Sequence, residues 1–333
     1  MTTSPRLTAG IIGAGWIGRQ HGEALARRGD VRVVAVCDLD ADRASELAGA
    51  LGAEAFSDWQ ELLAAGGLDL LWVCTPPRGH RAPTVAAFEL GIPVYLEKPV
   101  ARTLDDARAI AGAALEAGAV CAIGYQWHAV EVLDDLRACL DGQSIGYLLG
   151  QSIGPTASRS WFLDRAAGGG NLLERGSHHI DLVRTIGGEV LSAQAAACRV
   201  SLVARDAGEG DIDDAVTIVL QLESGALATI SVAWTRDGLP GTYAVDVVAN
   251  EGRYRLDLDP DFRLSGTSRG SQVEFTSAEH PFERSVSRFL DAVRQGRPDR
   301  VFCTPGDATR TLAVAAAAEQ ALASGLTVAV ETP

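Results

Sequence analysis

The sequence contains a single lysine, and we begin with it because few other side chains can replace lysine in catalysis. Of the 29 Lys and Arg residues only Lys98 is a lysine, so arginine occupies every other basic position. Arginine is always charged and forked, whereas the lysine ammonium is compact and titrates more readily. Lys98 lies in Glu97-Lys98-Pro99, directly after a predicted strand at Val94–Leu96. We expect Lys98 at an active-site edge, and a solvated surface charge is the alternative.

A second group of polar residues recurs at helical spacing after a run of three glycines. Glu174, His178 and Asp181 fall within a stripe of about 60° if successive residues turn by about 100°. Asn171 extends the stripe by one turn and is a candidate helix cap, whereas His179 points elsewhere and is predicted to be structural. Such a stripe suits the wall of a cleft, although a solvated helix face gives the same pattern. A metal site through Glu174 and His178 is a further alternative, but no His or Cys cluster in the sequence completes it, so we predict no metal.

A glycine motif near the start of the chain predicts a dinucleotide site. Gly13-Ala14-Gly15-Trp16-Ile17-Gly18 follows a predicted strand and opens a predicted helix. The first glycine permits a tight turn, the second lets the backbone approach a pyrophosphate, and the third allows close helix–strand packing. The helix N–H groups then face the phosphates.

Asp38 ends the second predicted strand, 20 residues after Gly18. There its carboxylate would bond the ribose hydroxyls, unless it only caps the next helix. Leu39 stands where an arginine for a 2′-phosphate is expected. The pattern therefore favours NAD over NADP as cofactor.

Two kinds of secondary structure must position these residues. Over the first 125 residues, short β-branched strands alternate with helices rich in Ala, Leu and Arg, which predicts βαβ units on a parallel sheet. The predicted strands are Leu7–Gly13, Val31–Cys37, Leu68–Val73, Val94–Leu96 and Val120–Ile123, and the helices are Trp16–Arg28, Ala41–Leu51, His80–Leu90 and Leu104–Glu116.

After residue 126 the pattern changes to one helix, a Gly-rich loop, a second helix and then strands with tight turns, which predicts an antiparallel sheet. The predicted helices are Val130–Leu140, Leu172–Ile186, Pro281–Arg294 and Pro305–Ala323, and the strands are Val190–Val203, Ala215–Leu222, Ala226–Trp234, Tyr243–Ala249 and Tyr254–Leu258. We therefore predict an α/β fold with an NAD-binding Rossmann domain over 1–125, a doubly wound parallel sheet, and a substrate-binding α/β domain over 126–333.

The composition excludes several classes of protein. A hydrophobic content of 47% with 22% charged residues is not that of a disordered chain. The net charge of −14 without a basic cluster argues against nucleic-acid or membrane partners. The cysteines are scattered as in reduced cytosolic proteins, no apolar run reaches a membrane span, and no secretion signal is apparent at the start. We expect a soluble, cytoplasmic protein.

Together these motifs resemble those of the Gfo/Idh/MocA family of NAD(P)-dependent oxidoreductases. The residues that carry the resemblance are, in order, Gly13–Gly18, Asp38, Cys74-Thr75-Pro76 with His80, Glu97-Lys98-Pro99, Gly124-Tyr125-Gln126 and Gly168–Asp181. The resemblance implies an N-terminal Rossmann domain and a C-terminal α/β domain with an open, mainly antiparallel sheet. It also implies action on a hydroxyl or carbonyl of a sugar, inositol or related polyol, and a homodimer or homotetramer assembled through the second domain.

The resemblance also assigns roles to individual positions. Lys98 and His178 match the family's catalytic residues, and the positions that line the nicotinamide-ribose side are matched by Thr75, Pro76, His80, Glu97 and Lys98. Two departures stand out: Glu174 replaces the family's Asp four residues before the motif histidine, and Trp127-His128 replaces a segment that often contains Arg. The candidates for substrate contacts are His128, Arg159, Trp161 and Asp181.

The leading hypothesis is reversible hydride transfer between a substrate carbinol and the nicotinamide. A neutral His178 would take the hydroxyl proton, for which a reference pKa of about 6.5 is suitable. Lys98 would stabilise charge on the reacting oxygen, and Glu174 would orient a neighbouring hydroxyl. Two alternatives stay open. One is NAD-dependent, redox-neutral cleavage of a glycoside; the other is a non-catalytic NAD-binding regulator, against which the presence of both Lys98 and His178 argues.

Overall fold

The computed structural model describes residues 6–155, 160–200, 210–236 and 238–332. The chain divides into two compact units, each built around one sheet. The first unit contains the residues up to Gly124 together with Val286–Ala308, and the second contains Tyr125–Ser285 together with the residues from Thr309 onward. None of the described helices is long and apolar enough to cross a membrane.

The first unit contains a six-stranded parallel sheet. Its strands are β1 (Leu7–Ile12), β2 (Val31–Cys37), β3 (Glu54–Phe56), β4 (Leu70–Val73), β5 (Val94–Leu96) and β6 (Cys121–Ile123), and its connecting helices are α1 (Trp16–Ala26), α2 (Ala41–Leu51), α3 (Trp59–Ala65), α4 (Arg81–Glu89) and α5 (Leu104–Ala117). The strand order β3-β2-β1-β4-β5-β6, with every pair parallel, is that of a dinucleotide-binding Rossmann sheet. The strands β4, β5 and β6 are buried throughout, as expected when helices cover both faces.

The predicted parallel α/β sheet is confirmed, but β3 and α3 were missed by the sequence analysis. β3 has only three residues and lies at the edge of the sheet, so it needs no long apolar run. α3 has seven residues and begins after Asp58, whose side chain caps it by accepting from the Gln60 N–H. Elements this short carry too few periodic positions for a pattern to be recognised.

The second unit contains a nine-stranded, mainly antiparallel sheet, which confirms the predicted sheet type. Its strands are β7 (Ile145–Pro155), β8 (Val190–Cys198), β9 (Ala215–Leu222), β10 (Leu227–Thr235), β11 (Thr242–Ala249), β12 (Gly252–Asp259), β13 (Arg263–Ser268), β14 (Ser271–Thr276) and β15 (Val328–Ala329). Its helices include α6 (Val132–Leu140), α7 (Ser160–Leu163), α8 (Arg165–Gly168) and α9 (Ser177–Gly187), and α10 (Pro281–Gln295) and α11 (Pro305–Ser324) follow later in the chain. The strand predicted over Val190–Val203 ends at Cys198, and its last three residues lie outside the described part of the chain.

The Gly-rich loop predicted between the first two helices of this half is wrong over residues 145–155. That segment is β7, a central strand that pairs parallel with β10 and antiparallel with β11. Two of its three glycines, Gly150 and Gly154, make room for neighbouring side chains, which is a recognised reason for glycine within a strand. A Cβ at Gly150 would lie 3.0 Å from Cδ2 of His179, and a Cβ at Gly154 would overlap the Tyr243 hydroxyl.

We predict that Gly150→Val destabilises the second unit by about 1–3 kcal/mol, because the added methyl groups overpack the contact with His179 and Ile230. The control is Gly146→Val in the same strand, where a Cβ would meet only one backbone atom, Val248 O, at 3.9 Å. That control should change the free energy of unfolding by less than about 0.5 kcal/mol. Urea unfolding of both variants measures the difference, and equal losses would contradict the packing argument.

Candidate active site

The glycine loop between β1 and α1 has the shape that a dinucleotide requires. Gly13 has φ of 99°, and a Cβ there would lie 2.6 Å from the carbonyl carbon of Cys74. A Cβ at Gly18 would overlap the Gly13 carbonyl oxygen. Both glycines are therefore required by the protein itself, whereas a Cβ at Gly15 would meet nothing within 4 Å. The open space over Gly15 fits the close approach of a pyrophosphate.

The start of α1 has the second feature that such a ligand needs. Gly15 is the N-cap residue, and no side chain caps the helix. The N–H groups of the first turn therefore present the positive end of the helix to an anion. Trp16 and Ile17 are the first two helical residues, and the Trp16 side chain is 60% exposed at this end of the helix.

Asp38 lies at the carboxyl end of β2 and is hydrogen-bonded to the glycine loop. One carboxylate oxygen accepts from the Ala14 N–H at 2.8 Å, and the other accepts from the Asp40 N–H at 2.9 Å. The residue that caps α2 is Asp40, whose side chain accepts from the Asp42 and Arg43 N–H groups. Asp38 is thus not the helix cap that the sequence also allowed; its carboxylate instead joins the glycine loop to the turn after β2.

Thr75, Pro76 and His80 follow β4. His80 is fully buried, and its two ring nitrogens lie 2.7 Å from the Thr75 carbonyl oxygen and 3.2 Å from the Val100 carbonyl oxygen. Burial lowers the pKa of His80 below its usual value. The ring therefore connects the turn after β4 to the loop after β5, so we infer a positioning role for it rather than a direct cofactor contact.

Glu97 and Lys98 follow β5, at the sheet edge where ligands bind in open α/β folds. Glu97 is buried, and its Oε1 lies 2.8 Å from Nε2 of His21, a fully buried residue of α1. Its other oxygen accepts from the Lys98 N–H at 3.2 Å. Gly124 leaves room for this carboxylate, because a Cβ there would lie 2.8 Å from Oε1. The backbone that carries the half-buried Lys98 is therefore held to the dinucleotide-binding helix through Glu97 and His21.

The glycine-rich motif of the second unit forms a helix whose winding changes within it. Leu172–Gly176 is a π-helical turn, and α9 begins at Ser177. The uniform turn of about 100° per residue assumed for the stripe therefore does not hold at Glu174, which lies in the π-helical turn, whereas His178 and Asp181 lie in α9. Single π-helical turns of this kind occur frequently at functional sites.

His178 lies between aromatic side chains from the start of the second unit. Its ring centroid is 5.7 Å from that of Tyr125 in an edge-on arrangement and 4.9 Å from that of Trp127. Trp127 belongs to the segment that departs from the family pattern, so this departure places an indole directly against the candidate base. Among the described residues, no third His, Cys or carboxylate joins Glu174 and His178 in a cluster tight enough for a metal ion.

His179 is fully buried beside Gly150 and packs edge-on against Trp127 at 4.8 Å. Burial lowers the pKa of His179 to about 4. A residue that stays neutral and packs against the sheet is structural, in agreement with the role expected for it.

Asp181 and His128 form a buried pair. His128 Nε2 lies 3.3 Å from an Asp181 carboxylate oxygen and also contacts the Thr185 hydroxyl. Asp181 accepts a hydrogen bond of 2.9 Å from the Thr311 hydroxyl and is almost fully buried. Asp181 therefore holds the His128 ring in position.

The remaining sequence candidates have different placements. Asn171 does not cap the helix: its amide donates to the Asp213 carbonyl at 2.7 Å and accepts from the Trp234 indole at 2.8 Å. Trp161 is half-buried against a cluster that includes Phe162 and Trp234. Arg159 lies outside the described residues.

Arg175 was missed by the sequence analysis. Its guanidinium carbon lies 4.1 Å from the ring centroid of Trp234 and 5.4 Å from that of Tyr243, and the group donates to the Pro155 carbonyl at 3.0 Å. Burial lowers the pKa of Arg175 below its usual value. No sequence signal marks it, because its partners come from three strands distant in the chain.

These features define a chain with an NAD-binding Rossmann unit followed by an antiparallel α/β unit. Two family models match it: that of an oxidoreductase family with an NAD-binding Rossmann fold over residues 7–125, and that of the Gfo/Idh/MocA C-terminal domain over residues 146–266. The chain belongs to the Gfo/Idh/MocA family of oxidoreductases. The predicted family, fold class, enzyme class and NAD cofactor are thereby confirmed.

Several named dehydrogenases are similar to this chain. The D-apiose dehydrogenase of Paraburkholderia graminis is 31% identical over 84% of this chain and 75% of its own length. The NAD-dependent scyllo-inositol 2-dehydrogenase of Bacillus subtilis is 25% identical over 96% of this chain and 94% of its own. A levoglucosan dehydrogenase solved with NADH and levoglucosan has a TM-score of 0.86 and 18% identity, covering 98% of this chain and 100% of its own, and shows the shared fold.

We predict that His21→Leu lowers the free energy of unfolding by about 3–5 kcal/mol, because it leaves the buried Glu97 carboxylate without its imidazole partner. His21→Gln is the matched variant, since its amide can still donate toward Glu97, and it should lose clearly less. Urea unfolding compares the two. Equal destabilisation would show that the ring's packing against Tyr95 matters more than its bond to Glu97.

We predict that His179 makes stability fall in acid. Its pKa is about 4 in the folded chain and about 6.5 when unfolded, so the unfolded chain binds the extra proton first. The stabilisation is complete above pH 6.5 and is lost progressively as the pH falls toward about 4, by up to about 3 kcal/mol. Unfolding measured from pH 8 to pH 4 should show a shallower pH dependence in His179→Gln than in the unsubstituted chain; parallel curves would refute this assignment.

Proposed function

We propose that this oxidoreductase is a dehydrogenase or reductase that interconverts a hydroxyl and a carbonyl group on a sugar, inositol or related polyol. The observation that carries the proposal is the single lysine of the chain, on a loop fixed by Glu97 at the carboxyl end of the sheet that holds the dinucleotide loop. The named relatives act on D-apiose and scyllo-inositol, which supports a polyhydroxylated substrate. Bound NAD supplies the hydride acceptor or donor.

The chain's own residues would handle the proton and the charge. We assign to His178 the removal of the hydroxyl proton, since a neutral imidazole is a competent base near neutral pH. We assign to Lys98 the stabilisation of negative charge on the reacting oxygen, which a compact ammonium does with one directed bond. Glu174 would orient a neighbouring hydroxyl, one methylene further from the backbone than the family's aspartate.

The wall beside His178 supports a substrate with a carbon ring. Trp127 offers an apolar face next to the candidate base, and aromatic faces pack well against the apolar C–H surface of a ring. His128, whose Nε2 is held by Asp181, would border the same substrate. We also propose a homodimer or homotetramer in the cytoplasm, which size-exclusion chromatography with light scattering and cell fractionation would test.

A screen of NAD reduction over polyols, inositols, aldoses and glycosides tests the proposed activity. We expect turnover with at least one polyol or cyclic sugar. Release of free sugar from a glycoside without added NAD would instead establish the redox-neutral reaction. Binding of NADH without turnover of any member of the panel in either direction would favour the regulator.

We predict that Lys98→Arg retains NADH binding but loses turnover by about a hundredfold or more, because the guanidinium fork cannot replace a single compact donor. Arg108→Lys is the reciprocal control on the exposed side of α5, where Arg108 pairs with Asp105, and it should keep full activity. Steady-state kinetics with the best substrate of the screen, together with NADH titration, measures both. Full activity of Lys98→Arg would remove the role assigned to the lysine.

A further inference from the structure

A chain of hydrogen bonds runs through the second unit from a half-exposed carboxylate to the ring of His128. Glu189, two residues after the end of α9, accepts from the Arg184 guanidinium at 2.6 Å and at 2.9 Å. Arg184 is buried, and its Nη1 donates to the Thr311 hydroxyl at 2.8 Å. Thr311 is fully buried on α11 and bonds to Asp181, whose other carboxylate oxygen faces Nε2 of His128.

The direction of the central bond follows from what each group can do. A guanidinium only donates, so the Thr311 hydroxyl accepts from Arg184 and has its single proton left for Asp181. One oxygen of the Asp181 carboxylate is therefore held by a donor. Its other oxygen is kept as an acceptor at the His128 ring.

The neighbours of the His128 ring decide which of its nitrogens carries the proton. The Thr185 hydroxyl donates to the backbone carbonyl of Asp181 at 2.9 Å, so it can only accept from Nε2 of His128. The Asp181 carboxylate is the second acceptor at Nε2. Among the described residues Nδ1 has no hydrogen-bond partner, so no bond there opposes a proton on Nε2. The geometry thus selects the Nε2–H form of the ring.

The fixed ring belongs to the same short helical turn as a neighbour of the candidate base. His128 and Trp127 both lie in the turn Gln126–Ala129. The ring centroids of Trp127 and His178 are 4.9 Å apart. A bond that holds the His128 ring therefore also holds the turn from which Trp127 contacts His178.

We propose that Thr311 is a positioning residue for the dehydrogenase reaction proposed above. Through Asp181 it holds the Nε2–H form of His128. The fixed ring keeps Trp127 against His178, the residue to which removal of the hydroxyl proton is assigned. The effect on turnover rests on the proposed function, whereas the state of the His128 ring does not.

The first test reads the ring nitrogens by proton–nitrogen NMR of the full chain labelled at histidine. The chain has six histidines, so the ring signals are few, and His128→Gln identifies those of His128. We expect a proton on Nε2 of His128. Thr311→Val keeps the shape of the side chain but removes the hydroxyl, and it should shift the ring signals of both His128 and His178. Thr311→Ser should restore them.

The matched control is Thr84→Val. Thr84 is fully buried in α4, and its hydroxyl has no hydrogen-bond partner in the described part of the chain. The control therefore removes a buried hydroxyl without breaking such a bond, and the signals of His128 and His178 should stay where they are. Equal shifts in Thr84→Val and Thr311→Val, or unshifted His178 signals in Thr311→Val, would overturn the proposal. An unprotonated Nε2 in the unsubstituted chain would overturn it without any variant.

The second test is steady-state turnover with the best substrate of the screen. Thr311→Val should lower kcat by about tenfold, the size of effect expected when a reacting group is held less well, and should leave NADH binding unchanged. Thr311→Ser restores the hydroxyl but not the methyl group, so recovery of kcat separates the hydrogen bond from packing.

The two tests also separate this proposal from the proposed function. An unchanged kcat in Thr311→Val, or no recovery in Thr311→Ser, would overturn the positioning role. A chain that turns over no member of the substrate panel would contradict the proposed function, and the ring signals of His128 and His178 would still decide whether Thr311 holds them.

Discussion

The buried carboxylate of Glu97 is the interaction on which the arrangement of the first unit depends. A carboxylate taken out of water must be paired or it destabilises the fold. Here one oxygen is paired with His21 and the other with the Lys98 N–H. Because His21 lies on the helix that follows the glycine loop, the same requirement that stabilises Glu97 also aligns the cofactor loop with the lysine loop. The contact between Glu97 and His21 therefore both stabilises the fold and fixes the position of the loop that carries Lys98.

The second unit also contains a buried carboxylate that is paired with a histidine. Asp181 is buried and paired with His128, and the Thr311 hydroxyl donates to its other oxygen. In both units a buried carboxylate thus holds a histidine. Glu97 directly precedes Lys98, whereas His128 is itself a candidate substrate residue. The difference is that His21 is sealed within the core, whereas His128 keeps a small exposed surface.

Much of the fold and the identity of the cofactor could be predicted because the signals are local. The glycine motif, the second strand and Asp38 follow one another within the first forty residues. The parallel strands alternate with helices of ordinary length, which makes the βαβ pattern recognisable. β7 could not be predicted, because its glycines are explained only by His179 and Tyr243, which reach it from elsewhere in the chain. The π-helical turn at Glu174 could not be predicted, because a helical stripe assumes the same turn per residue throughout the helix.

Among the site residues, too, those with a local sequence signal could be predicted and those that depend on contacts in the fold could not. Lys98 was noticeable by its rarity, but the contact between Arg43 and Asp38 crosses a helix turn that no rule of adjacent positions covers. His80 illustrates the reverse case, since a motif marked it as a ligand contact while its two ring nitrogens face backbone carbonyl oxygens.

Trp16 gives the dinucleotide loop an optical property. Among the six tryptophans it alone has a largely exposed side chain, and it is the first residue of α1, beside the open space over Gly15. A reduced nicotinamide absorbs where indoles emit. The protein therefore carries its own fluorescent donor at the rim of the cofactor site, so occupancy of that site is reported by the light the chain emits, without a dye or a label.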